Sequence, residues 1–156
     1  MTPKALFRLF AIAEAITWAL LLTGMFIKYV LDAGGWGVSI GGGLHGFVFL
    51  CYVVVVVFVG VNQRWKIGTM LLGLVSAVIP FATIPFEIVA ARRGLLAGPW
   101  RRHASDDPRD HSLPNRALRL VLARPVLVAS ITAVGVIVVF GALLIVGPPV
   151  GGGASA

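Results

Sequence analysis

Four long apolar stretches constrain this chain more than any other feature of its sequence. They run over residues 6–27, 38–61, 67–89 and 126–146. Each has the roughly 20 residues that a helix needs to cross the hydrocarbon layer of a bilayer. The chain is 58% apolar and 12% charged, whereas a soluble domain carries about 25% charged residues. We therefore predict an all-α, polytopic transmembrane bundle with four spanning helices.

These stretches divide the chain into four regions. Residues 1–92 form a predicted three-helix membrane domain, and residues 93–124 form an arginine-rich loop that contains a segment typical of a short interfacial helix. Residues 125–146 are the predicted fourth span, and we expect the glycine-rich tail, 147–156, to be disordered. Lys4 and Arg8 lie at the start of the first stretch, as basic residues do in a signal peptide, but the length of the stretch and Glu14 favour a retained span.

The formal net charge of +7 comes from basic residues at the ends of the apolar stretches and in the long loop. This placement favours anionic lipid head groups over nucleic acid as the partner of the loop. With four spans, Lys28 and the eight arginines between Arg92 and Arg124 lie on one side, and four basic residues lie on the other. The rule that basic loops stay in the cytoplasm then predicts an internal loop, with both termini outside the bacterial plasma membrane.

Ionisable side chains within the apolar stretches indicate a candidate site. Placing one at bilayer depth costs about 3 kcal/mol or more, so each needs a partner or a function. The predicted intramembrane polar site contains Glu14, Lys28, His45, Tyr52 and Glu87. On straight helices His45 lies ~7 Å and Glu87 ~13 Å from the centre, both toward the long loop. The structural alternative is a neutral glutamic acid and a histidine that only hydrogen-bond to neighbouring helices.

Small and polar residues recur on one face of the second and third stretches. Such stripes allow close packing between membrane helices. The predicted packing residues are Gly42, Gly46, Gly73, Ser76 and Pro80. Prolines at 80 and 85 each remove a backbone donor, so we expect the third helix to be kinked.

No pattern of residues predicts catalysis or a bound cofactor. The glycine cluster before His45 lacks the lysine and hydroxyl residue of a phosphate loop, and Cys51 is the single cysteine. His103 and His111 lie among arginines and aspartates, as in a solvated linker, so no metal site is predicted. A b-type haem on His45 would lack a second axial ligand within one chain. An enzyme is therefore not favoured.

Three runs of the chain resemble a known family. They are FRLFAIAEAITWALLLTGMFIKYV, LHGFVFLCY and LLGLVSAVIPFATIPFE. Over about residues 7–92 the chain resembles the small bacterial integral-membrane family typified by YdzA, a domain of unknown function with a His-Gly signature. That family is usually a three-helix unit, and this chain adds the arginine-rich loop and a fourth helix. The resemblance implies an α-helical cell-membrane protein without an assigned activity.

Three functions remain open from the sequence. The first is a non-catalytic membrane protein that associates with itself or with a larger membrane complex. The second is an oligomeric proton-coupled carrier or channel that uses Glu14, His45 and Glu87. The third is haem or quinone handling through His45.

Overall fold

The computed structural model describes residues 1–103 and 112–146, and this part of the chain is all-helical, as predicted. Its six helices are α1 (Pro3–Tyr29), α2 (Trp36–Asn62), α3 (Ile67–Val78), α4 (Thr83–Arg92), α5 (Leu113–Ala123) and α6 (Pro125–Val146). Among the described residues, α1 and α2 are the helices that pass a test of length and hydropathy for crossing a membrane. The predicted disordered tail lies outside the described residues.

Helices α1 and α2 form an antiparallel pair. Thr2 begins α1 by accepting a hydrogen bond from the Ala5 amide at 3.1 Å, and Pro3 occupies the first turn, where its missing N–H is not needed. The two backbones approach most closely at Gly24 and Gly37, where a Cβ on Gly24 would overlap the Gly37 backbone. Glycine is required at this contact because any side chain would separate the helices.

The predicted third spanning helix is instead two helices, and the expected kink is a complete break. Ile79 is extended (φ −97°, ψ 122°) because the ring of Pro80 disfavours the helical conformation of the residue before it. Phe81 has a φ of +64°, and α4 begins two residues later. Pro85 lies in the first turn of α4, where proline is tolerated. The apolar run of 67–89 therefore does not form one continuous helix.

Helix α4 runs back toward the end of the fold where α3 begins. At its start, the Thr83 hydroxyl donates to the carbonyl of Ala11 in the middle of α1 (2.9 Å). Beyond its end, the indole of Trp65, which precedes α3, donates to the carbonyl of Leu95 (2.7 Å). The α3–α4 hairpin, residues 67–92, thus begins and ends beside the last turn of α2.

The core of this unit is a cluster of aromatic rings from three helices and a loop. Phe7 is fully buried, and its ring centroid lies 5.6–5.9 Å from those of Tyr52, Trp65 and Phe86. Aromatic pairs at these distances add about 0.5–1.5 kcal/mol each beyond the burial of their area. The cluster therefore fixes α4 against α1 and α2.

Arg101 ties the following loop to the same end of α2. Its guanidinium donates to the backbone carbonyls of Val61 and Asn62 and to the Asn115 side chain on α5, and its amide donates to the Asn62 side chain (2.9 Å). Helix α5 lies where the sequence predicts a short interfacial helix. Its position at a membrane surface stays a prediction.

Helix α6 packs along α2 in the opposite direction. The ring of Phe140 lies 5.9 Å from that of Phe47, and it also lies against Gly46. Since α6 begins directly after α5, beside the end of α2, and Phe140 lies level with the first half of α2, the two helices are antiparallel.

Candidate functional site

The candidate site is centred on Glu14, in the middle of α1. Its side chain is fully buried, and neither carboxyl oxygen has a hydrogen-bond partner among the residues that the structure describes. Buried polar groups are nearly always hydrogen-bonded, because leaving them without a partner costs their full desolvation free energy. An unpartnered carboxyl group here is therefore an exception that needs an explanation.

His45 on α2 is the nearest ionisable neighbour of Glu14. Its Nδ1 lies 3.8 Å from Glu14 Oε1, and its side chain is 12% exposed. Nδ1 also lies 3.3 Å from the hydroxyl of Thr17. Because that hydroxyl donates to the Glu14 carbonyl at 3.0 Å, it accepts from His45, which assigns a proton to Nδ1. His45 thus donates its Nδ1 proton to Thr17, while Glu14 Oε1 lies near the same nitrogen but beyond hydrogen-bond distance.

Trp18 packs against His45 of the Glu14–His45 pair. Its ring centroid lies 4.3 Å from that of His45, and its indole N–H donates to the carbonyl of Ala77 at the end of α3 (3.1 Å). That bond satisfies one of the carbonyls that a helix end leaves without an intrahelical partner. Trp18 therefore joins the site to the hairpin.

Tyr52 lies two turns along α2 from His45 and is fully buried. Its hydroxyl lies 3.1 Å from that of Ser76, which itself donates to the carbonyl of Gly73 at 2.7 Å. With the serine proton used in this way, the tyrosine hydroxyl donates to Ser76. This bond holds α3 against α2.

The other two predicted site residues lie apart from the Glu14–His45 pair. Glu87 is 6% exposed and follows Phe86, whose ring packs on Phe7 near the start of α1. Lys28 is near the end of α1, with its ammonium group 5.0 Å from the ring centre of Tyr29. A straight third helix would place Glu87 on the same side of the membrane centre as His45. This prediction does not hold, because α4 runs back toward the end of the fold where α3 begins.

The predicted packing residues make different contacts from one another. Gly73 packs closely on Val56 and Phe86, and Ser76 bonds to Tyr52, as described above. Gly46 faces α6, Gly42 lies against the side chain of Leu21, and Pro80 is exposed at the hairpin tip.

The closest contacts of the α1–α2 pair were missed by the sequence analysis. They lie at Gly24, Gly37 and Gly41, and a Cβ on Gly41 would come within 3.0 Å of the Leu20 carbonyl oxygen. A spacing of four residues from Gly37 to Gly41 is the signal that could have found them.

The chemistry open to this site is proton exchange or hydrogen bonding to one further group. The described residues contain no cluster of three or more His, Cys, Asp or Glu side chains that could hold a metal ion. The site therefore offers one imidazole and one carboxyl group in an apolar surrounding. Haem or quinone binding at His45 stays a prediction.

Most of the first 92 residues match a family model. The model is described as a domain of unknown function (DUF3817), and it covers residues 4–92, the unit formed by α1 to α4. This agrees with the predicted family of unknown function, while the likeness to YdzA and the His-Gly signature stay predictions.

One curated relative is a Streptomyces coelicolor protein named "Putative membrane protein SCO5905". It is 48% identical over 90 residues, which are 57% of this chain and 11% of the relative. The chain thus spans about a tenth of the length of that relative. No solved structure matches the chain. The comparisons support a membrane protein of unknown function.

Proposed function

The chain belongs to the DUF3817 family, and from that premise we propose that it is a non-catalytic protein of the bacterial plasma membrane that works bound to another membrane-protein chain. In the topology that we propose, α1, α2 and α6 span the bilayer. The α3–α4 hairpin enters from one side and returns to it. Three spans and a hairpin thus replace the four spans predicted from hydropathy.

The tip of the hairpin, residues 79–82, is the observation that carries this proposal. Ile79, Pro80 and Phe81 are exposed, and the Ala77–Trp18 bond puts the tip level with the middle of α1. Interrupted helical backbone is not tolerated against lipid tails, because no water is present to bond the freed peptide groups. It occurs at this depth where protein or a water-filled cavity covers it. We infer that a second protein chain covers the tip.

Phe81 supports the same inference. Its φ of +64° costs a residue with a side chain about 1–2 kcal/mol, and the residue is 45% exposed. Strained conformations persist where the surroundings or a function require them. A ring held outward at the tip suits insertion into a partner.

The relative adds independent support. A segment 48% identical to this chain makes up 11% of a protein that carries the words membrane protein in its name. The domain therefore occurs alongside much more protein in that relative, and we propose that the domain of this chain likewise contacts further protein.

Photo-crosslinking at the tip tests the proposal. Phe81 is replaced by p-benzoylphenylalanine, and the control carries the same amino acid at Ile16, an exposed position on α1 at the same depth. In illuminated native membranes, position 81 should give one dominant protein adduct and position 16 should not. Mass spectrometry then assigns the adduct to a second copy or to another chain. Equal adduct yields at both positions, or none at position 81, would refute the proposal.

Replacing Phe81 by glycine distinguishes the effect of its backbone strain on stability from the effect of its side chain on association with the partner. In Phe81→Gly, relief of ~1–2 kcal/mol of strain offsets the ~0.4–1 kcal/mol that glycine costs through the unfolded chain. The isolated variant should therefore unfold at nearly the wild-type temperature, yet lose most of its complex on native gels. Asp32→Gly is the matched control, because Asp32 also has a positive φ (50°) but lies far from the tip. It should keep the complex.

The unpartnered oxygens of Glu14 favour a second candidate function, a proton relay in an oligomer. Glu14→Gln keeps the shape of the side chain and removes its exchangeable acid proton. If the relay exists, this variant should stop proton flux into proteoliposomes that contain a trapped pH-sensitive dye, whereas the wild type conducts. Unchanged flux in Glu14→Gln, or equal flux in protein-free vesicles, would exclude the relay.

A further inference from the structure

A cavity of about 580 Å³ lies between α1, α2, α5 and α6. We refer to it as the lateral cavity. Its volume falls within the ~300–1,000 Å³ that is usual for ligand pockets. Its walls are almost entirely apolar and include Leu6, Phe10, Cys51, Val55, Val121 and Val136.

One end of the lateral cavity is polar. Trp100 and Arg102 both line it, and Arg102 is exposed. The Trp100 ring lies 5.0 Å from that of Phe58, and its indole N–H donates to the carbonyl of Met1 at 2.8 Å. A tryptophan with its ring against apolar residues and its N–H bonded at the edge is typical of the membrane–water interface. The cavity thus runs from an interfacial level inward.

The depth of the cavity matches one leaflet of a bilayer. Along α2 its lining extends from Phe58 to Phe47, eleven residues, or ~16 Å at the rise of an α-helix. The hydrocarbon core of a bilayer is ~30 Å thick. An acyl chain of one leaflet would therefore fill the cavity lengthwise.

We propose that the lateral cavity binds one anionic membrane lipid. An acyl chain lies along α2 between α1 and α6, and the head-group phosphate pairs with Arg102. Arginine suits this role because its planar guanidinium can donate two hydrogen bonds to one phosphate. The inference rests on the membrane location proposed above, but not on the association with another chain.

Charge complementarity favours an anionic lipid over a neutral lipid or a second copy of the chain. The end of the fold that holds Arg102 is strongly basic. Helix α5, which supplies Val121 to the wall, also carries Arg116 and Arg119. Basic residues near the surface of an anionic membrane attract its head groups. A second copy would bring the same positive charge to this opening.

Native mass spectrometry with two matched lipids tests the inference. The full chain is released from nanodiscs that contain equal amounts of phosphatidylglycerol and phosphatidylcholine with identical acyl chains. The proposal predicts one retained phosphatidylglycerol per chain. A phosphatidylglycerol with a photoreactive acyl chain should label peptides of α2 and α6 that line the cavity.

Two variants and a control locate the site. Arg102→Gln should lower the ratio of retained phosphatidylglycerol to phosphatidylcholine about tenfold, the value of one charged hydrogen bond. Arg93→Gln, which removes the same charge from an exposed position outside the cavity, should leave the ratio unchanged. Thr132→Trp fills the cavity and should abolish acyl-chain labelling. If Thr132→Trp does not fold, the two arginine variants still decide the question.

Three outcomes overturn the inference. Equal retention of both lipids would mean that bulk lipid fills the cavity without selection for an anionic head group. Labelling confined to peptides outside the cavity walls, or a dimer that excludes lipid, would assign the cavity to another occupant. A monomer that retains phosphatidylglycerol would count against the proposed complex and leave the lipid site intact, so the two failures are distinguishable.

Discussion

Glu14 and His45 show how far single residues can be interpreted in a chain of this kind. Ionisable residues are rare within apolar stretches because they are costly at that depth, so the sequence alone identifies both as candidate site residues. That they lie 3.8 Å apart depends on how α1 and α2 are rotated about their axes. Glycine contacts at Gly24, Gly37 and Gly41 set that rotation. The sequence contains them, but the glycine pairs 42/46, 94/98 and 147/151 have the same four-residue spacing as Gly37 and Gly41.

The first prediction concerns the closest backbone contact. Gly24→Val should destabilise the protein by about 1–3 kcal/mol, the usual range for overpacking, because its side chain would overlap Gly37. Gly43→Val is the control, since a Cβ at Gly43 has nothing within 4 Å. Thermal unfolding in detergent measures both. Equal unfolding temperatures for the two variants would contradict the packing described.

The second prediction concerns the hydroxyl that docks α4. Thr83→Val has nearly the same shape but cannot donate to the Ala11 carbonyl, so α4 loses a buried hydrogen bond to α1. The expected loss of stability is about 0.5–1.5 kcal/mol. Thr23→Val, at an exposed position of α1, should have little effect. Denaturant titration in micelles compares them, and a similar midpoint for Thr83→Val and the wild type would rule out the bond.

At the scale of elements, hydropathy identified α1 and α2, but it did not show that the third stretch forms two helices, α3 and α4. A run of 23 apolar residues has the length of a span, and the prolines predicted only a kink. Local sequence explains why the helix stops at Val78, since Pro80 makes Ile79 extended. The direction of α4 is set by distant partners, Ala11 for Thr83 and Trp65 for Leu95. Such long-range bonds cannot be deduced from a window of sequence.

The third prediction concerns the loop after α4. Asn62→Leu removes the side chain that bonds Pro99 and Arg101, so this loop should open more often. A loss of about 1.4 kcal/mol gives a tenfold larger open population, and proteolysis tracks that population when reclosing is fast. Trypsin should therefore cut after Arg101 and Arg102 about tenfold faster than in the wild type. Gln63→Leu, at the next position, serves as the control, and equal cleavage rates in the two variants would contradict the role of Asn62.

At the scale of the whole molecule, the topology proposed above distributes charge differently from four spans. With four spans, basic residues lie on both sides of the membrane. In the proposed topology, one side holds eleven of the described basic residues, and Lys28 lies on the other. The eleven are Lys4, Arg8, Arg64, Lys66, Arg92, Arg93, Arg101, Arg102, Arg116, Arg119 and Arg124. We therefore expect this side, with the start of α1, to be cytoplasmic, in place of the external N-terminus predicted from four spans.

The measurement that tests this account most directly is the sidedness of three single cysteines. In a Cys51→Ser background, cysteine replaces Asp32, Lys66 or Ala97, which lie in the α1–α2 loop, before α3 and after α4. A membrane-impermeant maleimide is added to intact cells and to permeabilised cells. We predict that Asp32→Cys reacts in intact cells, whereas Lys66→Cys and Ala97→Cys react only after permeabilisation. Reaction of Ala97→Cys together with Asp32→Cys in intact cells would mean that the third stretch crosses the membrane, and would contradict the hairpin.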